Sequence, residues 1–208
     1  MFLDALPAGT RSNLALLADA GLTDPFYLAG GTAAALFLGH RISMDLDFFG
    51  PGSFDSASLV DQLAELGGFQ LDRIAPDTLL GDLAGVKISF FRYRYPLVAE
   101  PIMALGVKVA DLQDIAAMKL DAVSRRGTKR DFVDLFFIAQ SGIRLADALA
   151  QYQRKYAGFD VNVIHVVKSL TYFVDAELDP SPQMLTSFSW EETKRFFENE
   201  AKSLLNTL

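Results

Sequence analysis

Two carboxylates, Asp45 and Asp47, stand one residue apart in the hydrophobic run MDLDFF. In a strand, residues two apart face the same way, so both acids would point to one side and Leu46 to the other. Like charges that close raise each other's pKa unless a cation lies between them. A divalent ion meets that need, and hard carboxylate oxygens suit Mg²⁺. The plainer alternative makes one Asp a turn or capping residue and pairs the other with Arg41. Upstream, the strand-like FYLAG runs into Gly30-Gly31-Thr32, and the small-residue helix AAALFLGH follows. Glycines at such a junction let the backbone approach a ligand, and a helix start offers free N–H groups to a phosphate. The spacing is neither that of the G-x-x-x-x-G-K-[ST] phosphate loop nor that of the dinucleotide fingerprint. A phosphate cradle, a short helix and a two-carboxylate strand nevertheless make a metal-plus-nucleotide site in one supersecondary unit.

A second cluster lies further on. In DLQDIAAMKLDAVSRR, read as a helix, Leu112, Ala116 and Val123 share one side, and Lys119 falls in the middle of that apolar arc with Arg126 beside it. An unpaired buried lysine is costly, so Lys119 either snorkels to the edge or meets an anion. The next helix, KRDFVDLFFIAQSG, sets Asp131 and Asp134 among apolar neighbours. They read either as a favourable helix start plus an Arg130–Asp134 pair at i,i+4, or as members of the site. Arg125, Arg126, Lys129 and Arg130 form a local basic run in a chain whose net charge is −7. That overall charge argues against a general nucleic-acid coat and leaves room for a local polyanion contact.

The elements that must hold these residues divide the chain of 208 residues near residue 110. Residues 1–110 mix helix and strand: a helix SNLALLADAG capped by Ser12 or Asn13 and stopped at Gly21, then FYLAG, MDLDFFG, a helix SASLVDQLAEL, and the strands FQLDRIA, TLLGDLAG, VKISFFRYRY and GVKVA. A hairpin turn is expected near Gly81-Asp82. Residues 111–208 carry helical periodicity, with LDPSP as a loop and a capping box from Ser189 and Glu192 opening SWEETKRFFENEAKSLL. There are no cysteines, which removes disulfides and thiolate chemistry, and the two histidines, His40 and His165, are a poor basis for a zinc site. No segment has the length and hydropathy of a membrane span, and the N-terminus lacks the basic region of a signal peptide, so a cytoplasmic protein is expected. The FFRYRY stretch interleaves aromatics with Arg92 and Arg94, as an RNA-stacking face or an edge strand would.

GGTAAALFLGHRISMDLDFF together with AAMKLDAVSRRGTKRDFVDLFFI resembles the AbiEii/AbiGii toxin family of nucleotidyltransferase-fold proteins, distant relatives of the polymerase-beta type. The resemblance implies an α+β nucleotidyltransferase fold, a small mixed sheet flanked by helices and followed by a mostly helical C-terminal half. It implies Mg²⁺-dependent transfer of a nucleoside monophosphate from a nucleoside triphosphate, with pyrophosphate leaving. The acceptor would be RNA, tRNA above all, and a cognate antitoxin would be a further partner. Asp45 and Asp47 would hold the metal; Gly30, Gly31, Thr32, Lys87, Arg126 and Arg130 would contact the nucleotide. Lys119, Asp131 and Asp134 would complete the catalytic set. The departure is a missing third carboxylate, because the strand GVKISFF offers Lys87 and Ser89 at its inward positions. Two alternatives follow: a catalytically reduced nucleotide-binding regulatory module, or a phosphotransferase of the same fold.

Overall fold

The computed structural model describes residues 1–207. Helix α1 (Ala8–Asp19) leads into β1 (Tyr27–Leu28), α2 (Gly30–Leu38), β2 (Leu46–Gly50) and α3 (Ser56–Glu65). Then come β3 (Phe69–Ala75), β4 (Thr78–Leu83), β5 (Val86–Arg92), β6 (Ile102–Ala104) and β7 (Val107–Val109). The remainder is helical: α4 (Leu112–Arg125), α5 (Lys129–Gln140), α6 (Leu145–Lys155), α7 (Val163–Ser169), α8 (Val174–Leu178) and α9 (Trp190–Leu205). The expected α+β class is therefore what is found. No helix among the described residues is long and apolar enough to cross a membrane.

The strands form one mixed sheet in the order β3-β4-β5-β2-β1-β7-β6. At its centre β2 runs parallel to β5, with Leu46 opposite Ile88, Asp47 opposite Ser89 and Phe48 opposite Phe90. Alternation along β2 then sorts the side chains. Leu46 and Phe48 are buried on one face, where Phe48 stacks on Phe90 with ring centroids 5.0 Å apart. Asp47 and Phe49 turn to the other face, where Phe49 stacks on Phe91 at 5.5 Å. Helices α4 and α5 pack against α2, and one continuous cluster of buried residues runs from Ala5 to Leu204, so sheet and helices share a core.

Between α8 and α9 the chain crosses back to the segment after α2. Arg41 bridges Met184, Ile42 N donates to Gln183 O at 2.8 Å, and Leu185 N donates to His40 O at 2.8 Å. The same crossing is tied to the start of α5, where Lys129 N donates to Asp179 Oδ2 at 2.9 Å.

Two local expectations are corrected, and one strand is added. Helix α1 starts at Ala8, and Asn13 is buried inside it, its amide donating to the Leu83 carbonyl; a residue suited to capping is used for a long-range contact instead. Gly81 lies within β4 and makes no turn, because a Cβ there would sit 2.4 Å from the Phe69 ring. The reversal falls at Ala84-Gly85, where φ values of 49° and 85° make the left-handed pair that suits a tight hairpin. Strand β6 is too short for its three residues to show a pattern in the sequence.

Gly81→Ala should therefore overpack the β3–β4 face and cost about 1–3 kcal/mol. Urea unfolding would show a lower midpoint at unchanged slope. An unaltered midpoint would mean that Phe69 moves aside freely.

Candidate active site

Asp47 is built into the site by the register of β2 on β5. Its Oδ1 accepts from Ser89 Oγ at 2.7 Å, so a serine stands where a further carboxylate would face it. Asp45 lies just before β2, outside the strand on which both acids were expected to share a face. It is half-buried, and its nearest cation is Arg130 Nη1 at 3.9 Å. Both acids line one polar lobe of about 240 Å³, which they share with Thr32, Arg41, Lys119 and Arg126. Burial raises the Asp47 pKa above the usual carboxylate value; the Ser89 hydroxyl opposes this and the Asp45 charge adds to it. Among the described residues no Lys or Arg comes within ion-pair distance of Asp47. A desolvated acid with no cation of its own, facing a second acid, suits a bound divalent ion. The protein alone supplies few ligands, since no group of three or more acidic or histidine side chains converges among the described residues. That fits Mg²⁺, which is commonly held by one or two carboxylates with water and substrate phosphate completing the shell.

The two glycines are required by their neighbours. Gly30 has φ +68°, and a Cβ on it would lie 3.1 Å from Asp47 Oδ2. At Gly31 a Cβ would lie 2.3 Å from Arg41 Nη2. Helix α2 begins at Gly30, two residues before the expected start, and no side chain caps it, which leaves its first N–H groups open to the cleft. Thr32 Oγ1 reaches Ser43 Oγ at 2.9 Å and the Asp45 carbonyl, tying the helix start to the chain that carries Asp45.

Behind this pair lies a buried ionic network. Lys119 Nζ is 2.9 Å from Asp131 Oδ1 and 2.6 Å from Asp134 Oδ2. Arg126 forks onto Asp131 at 2.8 and 3.0 Å, and Thr128 Oγ1 donates to the same carboxylate at 2.6 Å. Arg41 forks onto Asp134 at 2.6 and 2.9 Å, with His40 Nε2 2.9 Å from Oδ1. Burial alone would raise both acids. Lys119, helped by Arg126 at Asp131 and by Arg41 and His40 at Asp134, outweighs it and holds both far below the usual range. Burial likewise works against a charged Lys119, and the two aspartates overcome it.

Lys119 therefore meets anions and does not snorkel, and the anions are the protein's own. Arg41 pairs with Asp134, not with Asp45 or Asp47, and Arg130 points to Asp45 and leaves Asp134 alone. Of the residues expected at the site, Gly30, Gly31, Thr32, Asp45, Asp47, Lys119, Arg126, Arg130 and Asp131 all border the cleft, and Asp134 lies directly behind it. Lys87 does not. Its ammonium is exposed and drawn to Asp72 at 2.9 Å and Asp82 at 3.7 Å, on neighbouring strands away from the cleft, which corrects its expected nucleotide contact.

The sequence reading missed Arg41, His40 and an adjoining lobe of about 460 Å³ walled by Phe49, Phe91, Tyr93 and Met118. The signal for the aromatic wall was present: Phe49 and Phe91 continue the alternation that begins with Asp47 and Ser89. In FFRYRY, Tyr93 packs on Phe49 at 5.3 Å and Arg92 pairs with Asp77 at 3.0 Å, while Phe91 and Tyr93 also line the lobe.

The opposite pKa shifts give opposite stability effects. The depressed Asp131 and Asp134 contribute stability that is complete above about pH 4, the unfolded carboxylate value, and is lost as pH falls toward their folded values. Asp134→Asn strips this network and should cost about 3–5 kcal/mol at pH 7. The raised Asp47 acts the other way: its contribution is complete below about pH 4 and is lost as pH rises through its folded value. Asp47→Asn should thus raise the Tm at pH 7, with the gain shrinking as the pH approaches 4. Melts of the three proteins across that range decide both points, and a Tm loss for Asp47→Asn at neutral pH would contradict the assignment.

Known proteins similar to this chain bear on its family and fold. The family model described as the nucleotidyl transferase AbiEii toxin of type IV toxin–antitoxin systems matches residues 14–102 and 90–205. The chain is 39% identical over 200 residues to the uncharacterized protein aq_aa25 of Aquifex aeolicus strain VF5, covering 94% of this chain and 95% of that one. Among solved structures it is similar to a candidate nucleotidyltransferase of H. pylori, 20% identical with a TM-score of 0.56, over 97% of this chain and 96% of the other. It is also similar to MenT4, a nucleotidyltransferase toxin of Mycobacterium tuberculosis H37Rv, 16% identical with a TM-score of 0.50, over 94% and 84% of the two chains. The structural likenesses show a shared nucleotidyltransferase fold, and the family match spans nearly the whole sequence: the chain belongs to the AbiEii family of nucleotidyltransferase toxins.

Proposed function

We propose that this nucleotidyltransferase is Mg²⁺-dependent and moves a nucleoside monophosphate from a nucleoside triphosphate to the end of a structured RNA, most plainly a tRNA. The observation that carries the reading is Asp47: a desolvated acid without a cation, set against the uncapped start of α2 and facing Asp45 across the polar lobe. The open N–H groups of Gly30, Gly31 and Thr32 suit the phosphates. The aromatic lobe beside them, walled by Phe49, Phe91 and Tyr93, suits the nucleoside. Asp45 and Asp47 would hold Mg²⁺, which when bound neutralises phosphate charge and orients the α-phosphate.

The chain's own side chains do the rest. Lys119 and Arg126 border both lobes, where triphosphate and nucleoside meet, and oppose the charge that builds on the leaving pyrophosphate. Asp131 and Asp134 are positioning residues in this reading, because their oxygens are taken up by cations and their low pKa makes them poor bases. Exposed Arg130 stands at the mouth beside Asp45 and is free to turn onto substrate phosphate. In the reaction the acceptor oxygen bonds to the α-phosphorus, the bond to the bridging oxygen of pyrophosphate breaks, and the hydroxyl proton passes to water. The acceptor assignment is supported by the basic run at Arg125, Arg126, Lys129 and Arg130 in a chain of net charge −7. The family's place in type IV toxin–antitoxin systems supports a cognate antitoxin as a further partner. One observation favours a second reading, a nucleotide-binding regulatory module without catalysis: Ser89, not a third carboxylate, faces Asp47.

Incubation with α-labelled nucleoside triphosphates, Mg²⁺ and total cellular RNA tests the proposal. Label should enter a tRNA-sized band. Asp45→Asn with Asp47→Asn should abolish that label together with the Tm rise that Mg²⁺ and triphosphate give the wild type. In a parallel incubation with γ-labelled triphosphates, label arriving only from the γ-position would mean phosphotransfer. A Tm rise with no transfer would favour the module. A full Tm rise in the double variant would remove the carboxylates from the site.

A further inference from the structure

Arg125 and Arg126 line more than the catalytic cleft. Around the end of α4 the same two residues form one wall of a separate groove of about 390 Å³, whose other wall comes from α7 and the turn after it, through His165, Lys168 and Tyr172. The groove and the aromatic lobe thus share a ridge, made by these two arginines.

The chemistry of the groove is not that of the surrounding surface. The groove is lined by three permanent cations, Arg125, Arg126 and Lys168, and one carboxylate, Asp175; Arg125 pairs with Asp121 at 2.8 Å and Arg126 with Asp131, so Lys168 supplies the unspent charge. Lys168 is exposed and enters no ion pair among the described residues. Arg126 is pinned by its two bonds to Asp131, so its charge is fixed in place at the ridge. The His165 ring sits 3.3 Å from the Ser124 carbonyl and links the two walls. Tyr172 is 55% exposed, which leaves an aromatic surface free at the groove's edge. Fixed cations with a free aromatic side chain are the elements of an unpaired nucleic-acid strand site: phosphates meet the cations and a base stacks on the ring.

We infer that this groove binds the unpaired strand of the acceptor RNA next to its reacting end, with Lys168 and Arg125 on phosphates and Tyr172 stacked on a base. The ridge at Arg126 then leads the terminal nucleotide into the cleft. The inference rests on the RNA-acceptor reading above and adds to it a site on α7 that takes no part in nucleotide binding.

The test uses Lys168→Ala and Tyr172→Ala in the full-length protein, with a 5′-fluorescent RNA hairpin carrying an unpaired 3′ tail. Anisotropy titrations at several salt concentrations should give wild-type binding with a steep salt dependence. Lys168→Ala should weaken binding and lower the slope of log K against log salt by about 1. Tyr172→Ala should weaken binding about tenfold at unchanged slope. Both variants should keep the wild-type Tm rise with Mg²⁺ and triphosphate, which shows that the nucleotide site is intact. Wild-type RNA affinity in both variants, as expected if the groove instead serves an acidic protein, overturns the groove and leaves the nucleotidyltransferase reading standing. No RNA binding or labelling by the wild type overturns the RNA acceptor and the groove together.

Discussion

The site depends on a cluster in which two buried carboxylates, Asp131 and Asp134, are shared by the buried Arg41 and Lys119 and by Arg126, which reaches in from the surface. Ions taken out of water are tolerated only when each finds partners with good geometry, and here two arginine forks and one ammonium meet four carboxylate oxygens. Its members come from three places: the chain after α2, the length of α4 and the start of α5. Packing these elements in any other relation would strand a charge in the core. The cluster therefore acts as a registry device, fixing where α4 and α5 sit against α2 and hence where Lys119 and Arg126 stand relative to Asp47.

The arrangement separates two roles that carboxylates can play. Asp131 and Asp134 are surrounded by donors and remain ionised; they hold cations toward the cleft. Asp47 has a serine hydroxyl and another acid beside it and Lys119 and Arg126 only at a distance, and burial still outweighs these cations and disfavours its ionised form. A protein selected for stability alone would place a neutral side chain there. Keeping an acid in that position makes sense only if something absent from the chain completes it. The same logic explains Gly30, whose missing Cβ leaves room at Asp47 Oδ2.

Much of the candidate site could be read in the sequence, because its signals are local violations of pattern. Two acids in a hydrophobic run, a lysine in an apolar helical arc and acids among apolar neighbours each break a rule that ordinary core residues obey. What could not be read were the partners. Arg41 and Asp134 are 93 residues apart, and nothing at either position names the other; a helix-based reading reaches only neighbours three or four residues away, such as Arg130. Lys87 failed for a related reason. Its face of the strand was right, but position along the strand decides between the cleft and the exposed end, where Asp72 and Asp82 wait on paired strands. Gly81 and Asn13 failed because a tertiary contact, to Phe69 and to Leu83, overrode a local preference. The fold class survived these misses, since it rests on long stretches of periodicity and not on single residues.

The crossing between α8 and α9 has a consequence for how the molecule comes into being. In synthesis His40 and Arg41 appear long before Gln183, Met184 and Leu185, which hold the backbone of this segment. A nascent chain with that late segment still inside the ribosome lacks the pairing that fixes Arg41 under Asp134. The cation cluster, and with it the alignment of the cleft, is therefore complete only once residues 183–185 have emerged.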